Sequence, residues 1–429
     1  MKILVIGSGG REHTLCWAFN KSRRVEKIFC ANGNQGIAET AECVDILPDD
    51  IQGLKIFAAQ NHIDLTFVGS ENPLALGIVD EFGKHGIKII GSSQTASQLE
   101  SSKSFAKDFM SRYNIPTAKY ETANSVDEAV NILESGIFGD KNATVVVKAD
   151  GLAAGKGVII AENRREAKKA INELAQTVGE AAAQKIVLEE CLIGDEVSVL
   201  LFADGKNFAL MPPCRDHKRI GEGDTGTNTG GMGTISDAAL LSEQQLKQIT
   251  KTIIEPTLTG AAFEGFPFAG ILFLGLMLTK DGIKVLEYNV RFGDPETQVI
   301  LVRLKTDLLD ICEAIGTQTL SQLKIQWEEG SSACVILASK GYPQKPVTGD
   351  IIYGLDKLKA MRDLNVFHSG TSKDKKGNFI TSGGRVLGVT ATGENLDYAL
   401  KKVYQAVGKI KWDGIQYRRD IGKTLNSPK

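Results

Sequence analysis

The run Lys284-Val285-Leu286-Glu287-Tyr288-Asn289-Val290-Arg291-Phe292-Gly293-Asp294-Pro295-Glu296 sets a carboxylate, an amide oxygen and a guanidinium at alternate positions. Side chains of a strand alternate between its two faces, so Glu287, Asn289 and Arg291 are expected on one face and Leu286, Tyr288 and Val290 on the other. One face then offers oxygen ligands and a cation, and the opposite face core. Magnesium is usually held by one or two protein oxygens completed by substrate phosphates and water, which makes Glu287 and Asn289 the candidate ligands. Taken alone, the same run also reads as a chance alternation on an exposed strand.

A second run, Lys148-Ala149-Asp150-Gly151-Leu152-Ala153-Ala154-Gly155-Lys156-Gly157-Val158, ends one strand on a lysine and reaches another strand through a small-residue loop with a second lysine. The spacing GxxxGKG between strands differs from GxxxxGK[ST] opening a helix. Such a hairpin can close over triphosphate oxygens as a lid while Lys148 neutralises charge. An exposed turn with a solvated lysine is the plain alternative. A third run, Gly7-Ser8-Gly9-Gly10-Arg11-Glu12, follows a strand and opens a helix, the setting in which backbone amides hold a phosphate. It is an incomplete dinucleotide fingerprint. Glu12 replaces the last glycine of GxGxxG, and Ala31-Asn32-Gly33 ends the second strand without a ribose-binding acid. A tight turn with no ligand stays open here.

No Ser-His-Asp or Cys-His constellation is legible, and His13, His62, His85, His217 and His368 have no metal spacing. Charge handling therefore falls to lysine, arginine and metal, the profile of phosphoryl chemistry.

These residues need strands and turns to hold them. Apolar runs at residues 2–6, 27–31, 65–69 and 88–91 alternate with helical patterns and predict a parallel α/β unit. An amphipathic helix at 102–114 is stopped by Ile115-Pro116. Strands at 144–149, 158–161, 185–190 and 196–202 with a helix at 164–178 predict a small α+β unit. Residues 213–236 lack apolar periodicity, carry six glycines and read as a long functional loop. Beyond it come a helix at 242–263, strands at 269–279 and 284–290, and a helix at 304–315. Strands at 333–339 and 385–392 and a helix at 396–407 predict a further small unit.

The 429 residues carry 50 basic against 52 acidic side chains, a net charge of −2, with 42% hydrophobic residues. That is a globular composition long enough for about three domains. It lacks the basic footprint of a nucleic-acid or membrane-surface binder, which leaves small molecules as the expected partners. The seven cysteines are scattered without a CxxC pair and read as reduced thiols. No secretory leader and no run of 18 apolar residues is legible, and a cytoplasmic location is expected.

Together the runs resemble the ATP-grasp superfamily and, within it, the phosphoribosylamine–glycine ligase family of purine biosynthesis. The signatures are VIGSGGREH at 5–13, VKADGLAAGKGV at 147–158, RDHKRIGEGDTGTNTGGMG at 215–233, YNVRFGDPETQ at 288–298, SGGRVLGV at 382–389 and YRRDIG at 417–422. They stand in family order over essentially the whole chain. The resemblance implies a multidomain α/β and α+β architecture: an N-terminal parallel α/β (pre-ATP-grasp) domain at 1–102, an ATP-grasp domain at 103–325 with a lid at about 118–192, and a small C-terminal domain at 326–429. It implies a C–N-bond-forming ligase that joins glycine to 5-phosphoribosylamine through glycyl phosphate, giving glycinamide ribonucleotide, ADP and phosphate.

Residue by residue, it implies that Lys107, Lys148, Gly151, Gly155, Lys156, Gly157, Glu189, Glu190, Leu192 and Glu196 contact ATP, with Glu189 and Glu196 reading the adenine amino group and the ribose. Glu287 and Asn289 match ligands of magnesium or manganese. Lys148, Arg291 and Asp216 take the catalytic roles, with Arg291 near the transferred phosphoryl group and Asp216 facing the amino group of glycine. Gly230 and Gly231 fall in that amino-acid region, and Gly9, Gly10 and Arg11 look like the site of the ribosyl 5-phosphate. No acidic residue stands in 271–278, where many ATP-grasp enzymes take a further metal ligand. A monomer is the simplest assembly, and the chain's end soon after YRRDIG suggests one activity. Another ATP-grasp carboxylate–amine ligase and, in a different class, a dinucleotide oxidoreductase are the alternatives.

Overall fold

The computed structural model describes residues 1–153, 157–179 and 182–423. The N-terminal unit is a parallel sheet of β1 (Lys2–Gly7), β2 (Lys27–Asn32), β3 (Glu42–Val44), β4 (Leu65–Val68) and β5 (Ile89–Ile90), in the order β3-β2-β1-β4-β5. Four of these strands follow the predicted apolar runs. The edge strand β3 was not expected, being three residues long with no apolar run to announce it. The order of the strands reverses at β1 and β4, which run parallel, and the crevice at the carboxyl ends of strands at such a switch is where α/β sheets place ligands. The helix Gly10–Phe19 begins there.

A four-stranded antiparallel sheet, β6 (Tyr120–Ala123), β7 (Val145–Ala149), β8 (Val158–Ala161) and β9 (Ile186–Glu190), runs in the order β6-β9-β7-β8. The helices Val126–Glu134 and Arg164–Val178 cover it, burying Ala129, Leu133, Ile171 and Leu174 against Val145, Val147 and Leu188.

The remaining strands are β10 (Asp195–Asp204), β11 (Phe208–Leu210), β12 (Cys214–Asp216), β13 (Arg219–Gly221), β14 (Thr225–Asn228), β15 (Gly233–Ser236), β16 (Ala269–Thr279), β17 (Gly282–Asn289), β18 (Ser331–Ala338), β19 (Leu364–His368), β20 (Thr371–Lys373), β21 (Phe379–Thr381) and β22 (Arg385–Gly393). Nine of them form one sheet in the order β17-β16-β10-β12-β15-β18-β22-β19, with β11 on β10. This sheet crosses the expected break at 325/326, because β15 pairs directly with β18. Residues 213–236, expected as a loop, hold two strands of the sheet and the hairpin β13–β14. The apolar pattern missed them for a physical reason: β12 and β15 are three and four residues long, and β15 (Gly-Thr-Ile-Ser) is buried throughout, so small polar residues replace alternation.

β17 departs from simple alternation. Gly275 of β16 faces Glu287 and Leu276 faces Val285, so Leu286 is an extra, bulged residue. Ile283, Val285, Tyr288 and Val290 therefore enter the main core, and Leu286 does not. The expectation of Leu286 as a core residue is corrected. The bulge shifts the phase by one, and Val285 takes the core position.

Candidate functional site

Two lysines from different elements converge on one buried carboxylate. Lys107, on the helix Lys103–Arg112, lies 2.9 Å from Glu189 Oε2, and Lys148, at the end of β7, lies 2.7 Å from Oε1. The second contact is an ion pair without hydrogen-bond geometry. All three residues are buried. The lysines are also tied to the backbone of β17. Lys107 donates to Thr117 Oγ1 (2.7 Å), which donates to the Val285 carbonyl (2.7 Å), and Lys148 donates to the Leu286 carbonyl (3.3 Å). Burial lowers the Lys107 ammonium to about 8, against the attraction of Glu189. Asp150, just past Lys148, accepts the Ser104 amide (2.6 Å) and so fastens β7 to the helix that carries Lys107.

Glu287 follows immediately on β17. Its neighbour across the ladder is Gly275, where a Cβ would lie 3.2 Å from Glu287 Cγ. Burial opposes its ionisation, yet Lys218, Lys148, Lys103 and Arg291 outweigh that and hold the carboxyl below its usual range. Lys218 Nζ lies 3.8 Å from Glu287 and hydrogen-bonds Glu196. Asn289 Oδ1 accepts from Arg291 Nη2 at 3.1 Å. An anionic oxygen and an amide oxygen two residues apart, amid cations that match phosphate, suit a hard divalent ion. Among the described residues no group of three or more His, Cys, Asp or Glu side chains could hold a metal, so Glu287 and Asn289 would need ligand oxygens beside them.

Arg291 stands past the strand end between two carboxylates, Glu100 at 2.7 Å and Glu71 at 3.3 Å. Burial works against the Glu71 charge, but Arg291 and Arg11 hold its carboxyl down at about 2. Arg11 is drawn into the same network rather than facing the cleft. Its Nε donates to Glu12 Oε1 (2.6 Å) and its Nη1 to the Phe292 carbonyl (3.0 Å). The Gly9 amide donates to Glu12 Oε2 (2.6 Å). A Cβ at Gly7, Gly9 or Gly69 would strike Glu12. The protein's own carboxylate thus fills the hollow where a dinucleotide fold seats pyrophosphate, which gives Glu12 its structural reason and takes up the Gly9 amide, one of the donors that the oxidoreductase reading needs.

Asp216 ends β12 and accepts from the His217 amide (2.8 Å) and Thr234 Oγ1 (3.1 Å). Gly231, with a φ of +109°, packs so closely that a Cβ would lie 2.8 Å from Asp216 Oδ1. Burial first, and the charge of Glu296 second, push the Asp216 carboxyl well above its usual range. Glu296 itself is buried at the start of the helix Glu296–Leu301 and is pushed up by burial. A half-buried carboxyl beside a buried one, whose charge raises it, makes a place for an ammonium group.

Of the other residues read from the sequence, Glu190 turns to Lys284 (3.1 Å) and the Lys119 amide (2.9 Å). Leu192 lies between β9 and β10, at the junction of the two sheets. The Gly151 amide donates to the Ala182 carbonyl and the Gly157 carbonyl accepts the Ala149 amide, while Gly155 and Lys156 lie outside the described residues. Sequence reasoning missed Lys103, Lys218, Glu71, Glu100 and Glu296. Glu296 stands within the run already singled out, three residues after glycine, and its spacing was a usable signal. The others belong to separate segments and carry no local pattern.

A four-stranded antiparallel sheet tied through two buried lysines to a strand carrying Glu287 and Asn289 on one face is the arrangement of an ATP-grasp protein. Comparison with known families agrees: the phosphoribosylglycinamide synthetase N domain matches residues 1–100, its ATP-grasp (A) domain residues 101–297 and its C domain residues 332–424. The chain is 44% identical to the phosphoribosylamine–glycine ligase of Brucella melitensis, covering 98% of this chain and 97% of that protein. It is 45% identical to that of Clostridium acetobutylicum, covering 99% and 100%. The crystal structure of the Thermotoga maritima phosphoribosylamine–glycine ligase superposes with a TM-score of 0.84 at 31% identity, over 98% of this chain and 100% of that one. The biotin carboxylase domain of the Hydrogenobacter thermophilus 2-oxoglutarate carboxylase shares the fold, with a TM-score of 0.73 at 17% identity over 97% and 91%. The chain belongs to the phosphoribosylamine–glycine ligase family. No helix among the described residues is long and apolar enough to cross a membrane.

Proposed function

We propose that the protein ligates glycine to 5-phosphoribosylamine with ATP, forming glycinamide ribonucleotide, ADP and phosphate. One observation carries the reading. Both buried lysines are tethered to the backbone carbonyls of Val285 and Leu286, immediately before Glu287, so the cations for phosphate and the ligands for metal are built as one piece.

A carboxylate is a poor electrophile toward an amine until one oxygen becomes a leaving group. The glycine carboxylate therefore takes the γ-phosphoryl group of ATP, and the amine of phosphoribosylamine then attacks the acyl carbon and expels phosphate. Lys107 and Lys148 hold phosphate oxygens and spread their charge. Arg291, kept in place by Glu71 and Glu100, faces the transferred group. Glu287 and Asn289 would hold magnesium, or manganese, whose charge shields the phosphate oxygens. Glu189, Glu190, Leu192 and Glu196 line the nucleoside end, with 151–157 as the lid loop. Asp216, beside Gly230 and Gly231, receives the ammonium of glycine. The loop at Gly9 and Gly10 faces the ribosyl 5-phosphate, with the Gly9 amide held by Glu12, and Arg11 acts from behind the loop, since its guanidinium is bonded to Glu12 and Phe292. The domain limits of 1–102, 103–325 and 326–429, a monomeric state and a cytoplasmic location complete the reading.

The test is ADP release from ATP and magnesium on adding glycine and freshly made phosphoribosylamine singly and together. Substantial release is expected only with both, because the acyl phosphate stays sequestered until an amine arrives. Equal turnover with a larger amino acid would overturn the assignment.

A further inference from the structure

Two C-terminal runs, Ser382-Gly383-Gly384-Arg385 and Tyr417-Arg418-Arg419-Asp420-Ile421-Gly422, have no part in the chemistry derived above. Both reach the same target. Arg385 Nη1 donates to the carbonyls of Gly230 and Asp294, each at 2.5 Å, and Nη2 lies 3.4 Å from Asp294 Oδ2. The Gly230 amide donates to the Tyr342 hydroxyl (3.1 Å). Arg418, fully buried, is held by both oxygens of Asp420 (2.8 Å each) and donates to the Arg219 carbonyl (3.1 Å) and to Asp224 (2.5 Å). Asp420 also accepts the Gly223 amide, and the Gly422 amide donates to His217 Nε2.

We infer that the C-terminal unit is a clamp on the amino-acid side of the site, with Arg385 and Arg418 as positioning residues that fix segment 216–231 by its backbone. The inference rests on the reading that Asp216 receives the amino group of glycine. Beyond its own hairpin, segment 216–231 is costly to order: Gly223, Gly226 and Gly231 adopt positive φ, and glycine gives up more conformational freedom on ordering than any other residue. The clamp acts where that freedom is greatest. At Gly230 a Cβ would lie 3.1 Å from Arg385 Cζ, so backbone and guanidinium are in van der Waals contact. Gly231, the next residue, lies against the Asp216 carboxylate, and a shift at Gly230 therefore reaches the ammonium site directly. Asp294 follows Arg291 by three residues, so the same guanidinium ties this loop to the strand end that carries the phosphoryl-facing cation. A planar fork can bridge two carbonyls and a carboxylate, whereas a lysine ammonium cannot reproduce that geometry.

The test uses the full-length enzyme with Arg385→Ala and Arg385→Lys. The side chain sits at the edge of the clamp, and the lysine variant keeps its charge should the alanine variant fold poorly. The KM for ATP is expected to stay within about twofold while kcat/KM for glycine falls about 10²-fold, the scale of a small misplacement. Added guanidinium ion, below denaturing levels, should restore part of the Arg385→Ala activity and none of the Arg385→Lys activity. Amide exchange in 219–231 should accelerate while β18 and β22 keep their protection. Unchanged exchange would overturn the clamp itself. Accelerated exchange with unaltered kinetics toward glycine would overturn the proposal from beneath, by removing Asp216 from the amino-acid site. Equal losses toward ATP and glycine would mark Arg385 as merely structural.

Discussion

Val285, Leu286 and Glu287 should respond to substitution in three different ways, because the bulge gives each a different surrounding. Val285 is fully buried, and Val285→Ala removes two carbons worth about 0.8 kcal/mol each and leaves a cavity, for a cost of about 2–3 kcal/mol. Leu286 stands outside the core, and Leu286→Ala should cost less than about 1 kcal/mol. Glu287→Gln keeps the shape. The Glu287 side chain is 38% exposed and its nearest cation is 3.8 Å away, so the free protein should change by less than about 1 kcal/mol. The loss should appear with ligand. At a nucleotide concentration about 100 times the wild-type Kd, ATP with magnesium stabilises the wild type by about 2.7 kcal/mol, and a variant bound about 100-fold more weakly would keep only about 0.4 kcal/mol. Urea unfolding with and without ATP and magnesium, beside ADP release, reads all three. If Leu286→Ala is the damaging change and Val285→Ala is silent, the bulge is misplaced. If Glu287→Gln retains the full ligand stabilisation, the metal site lies elsewhere and the phosphoryl-transfer reading loses its main support.

The lowered Lys107 ammonium sets a pH window. Above about 8 the folded protein releases a proton that the unfolded chain still holds, so stability of the free protein should rise with pH there, while ATP affinity, which needs the ammonium, should fall about tenfold per pH unit. Isothermal titration from pH 7 to 9.5 checks it, and a flat affinity would refute it. Both Asp216 and Glu296 are pushed up, so the free protein should lose stability as pH rises through their titration; Glu296→Gln should lessen that loss, leaving the part due to burial of Asp216, and raise the KM for glycine, seen in melts from pH 5 to 8 and in steady-state kinetics. Glu12→Ala unpairs Arg11 and the Gly9 amide and should cost about 3–5 kcal/mol by breaking a buried pair, measured by urea unfolding.

The run carrying Glu287 and Asn289 and the run carrying Lys148 were legible as units because each occupies one short stretch, where period-two spacing or a glycine loop between strands stands out. Glu287 and Asn289 share one face of β17, as their spacing predicts. The bulge was not legible: Val285, Leu286 and Tyr288 are all apolar, and only the partner strand reveals which one is extra. Glu12 was seen as a defect in a glycine pattern, whereas its carboxylate fills the loop. The partners of Arg291 come from residues 71 and 100, and those of Arg385 from residues 230 and 294, separations over which no periodicity speaks. Strands β12 to β15 escaped because hydrogen-bonded pairing requires no apolar face when the strands are this short.

The pairing of β15 with β18 has a consequence for synthesis on the ribosome. Residues 233–236 must wait for residues 332–335, nearly a hundred codons later, before their outer edge is covered. Until then the growing chain presents an open sheet edge beside unsheltered apolar surface, the condition in which nascent proteins bind one another or a chaperone. The segment proposed to face glycine waits longer still, since its two arginine tethers emerge only at residues 385 and 418. A transcript truncated near codon 330 should therefore yield a product that retains the N-terminal sheet and the four-stranded sheet β6–β9 yet is aggregation-prone and, on the proposed reading of the site, unable to recognise the amino acid.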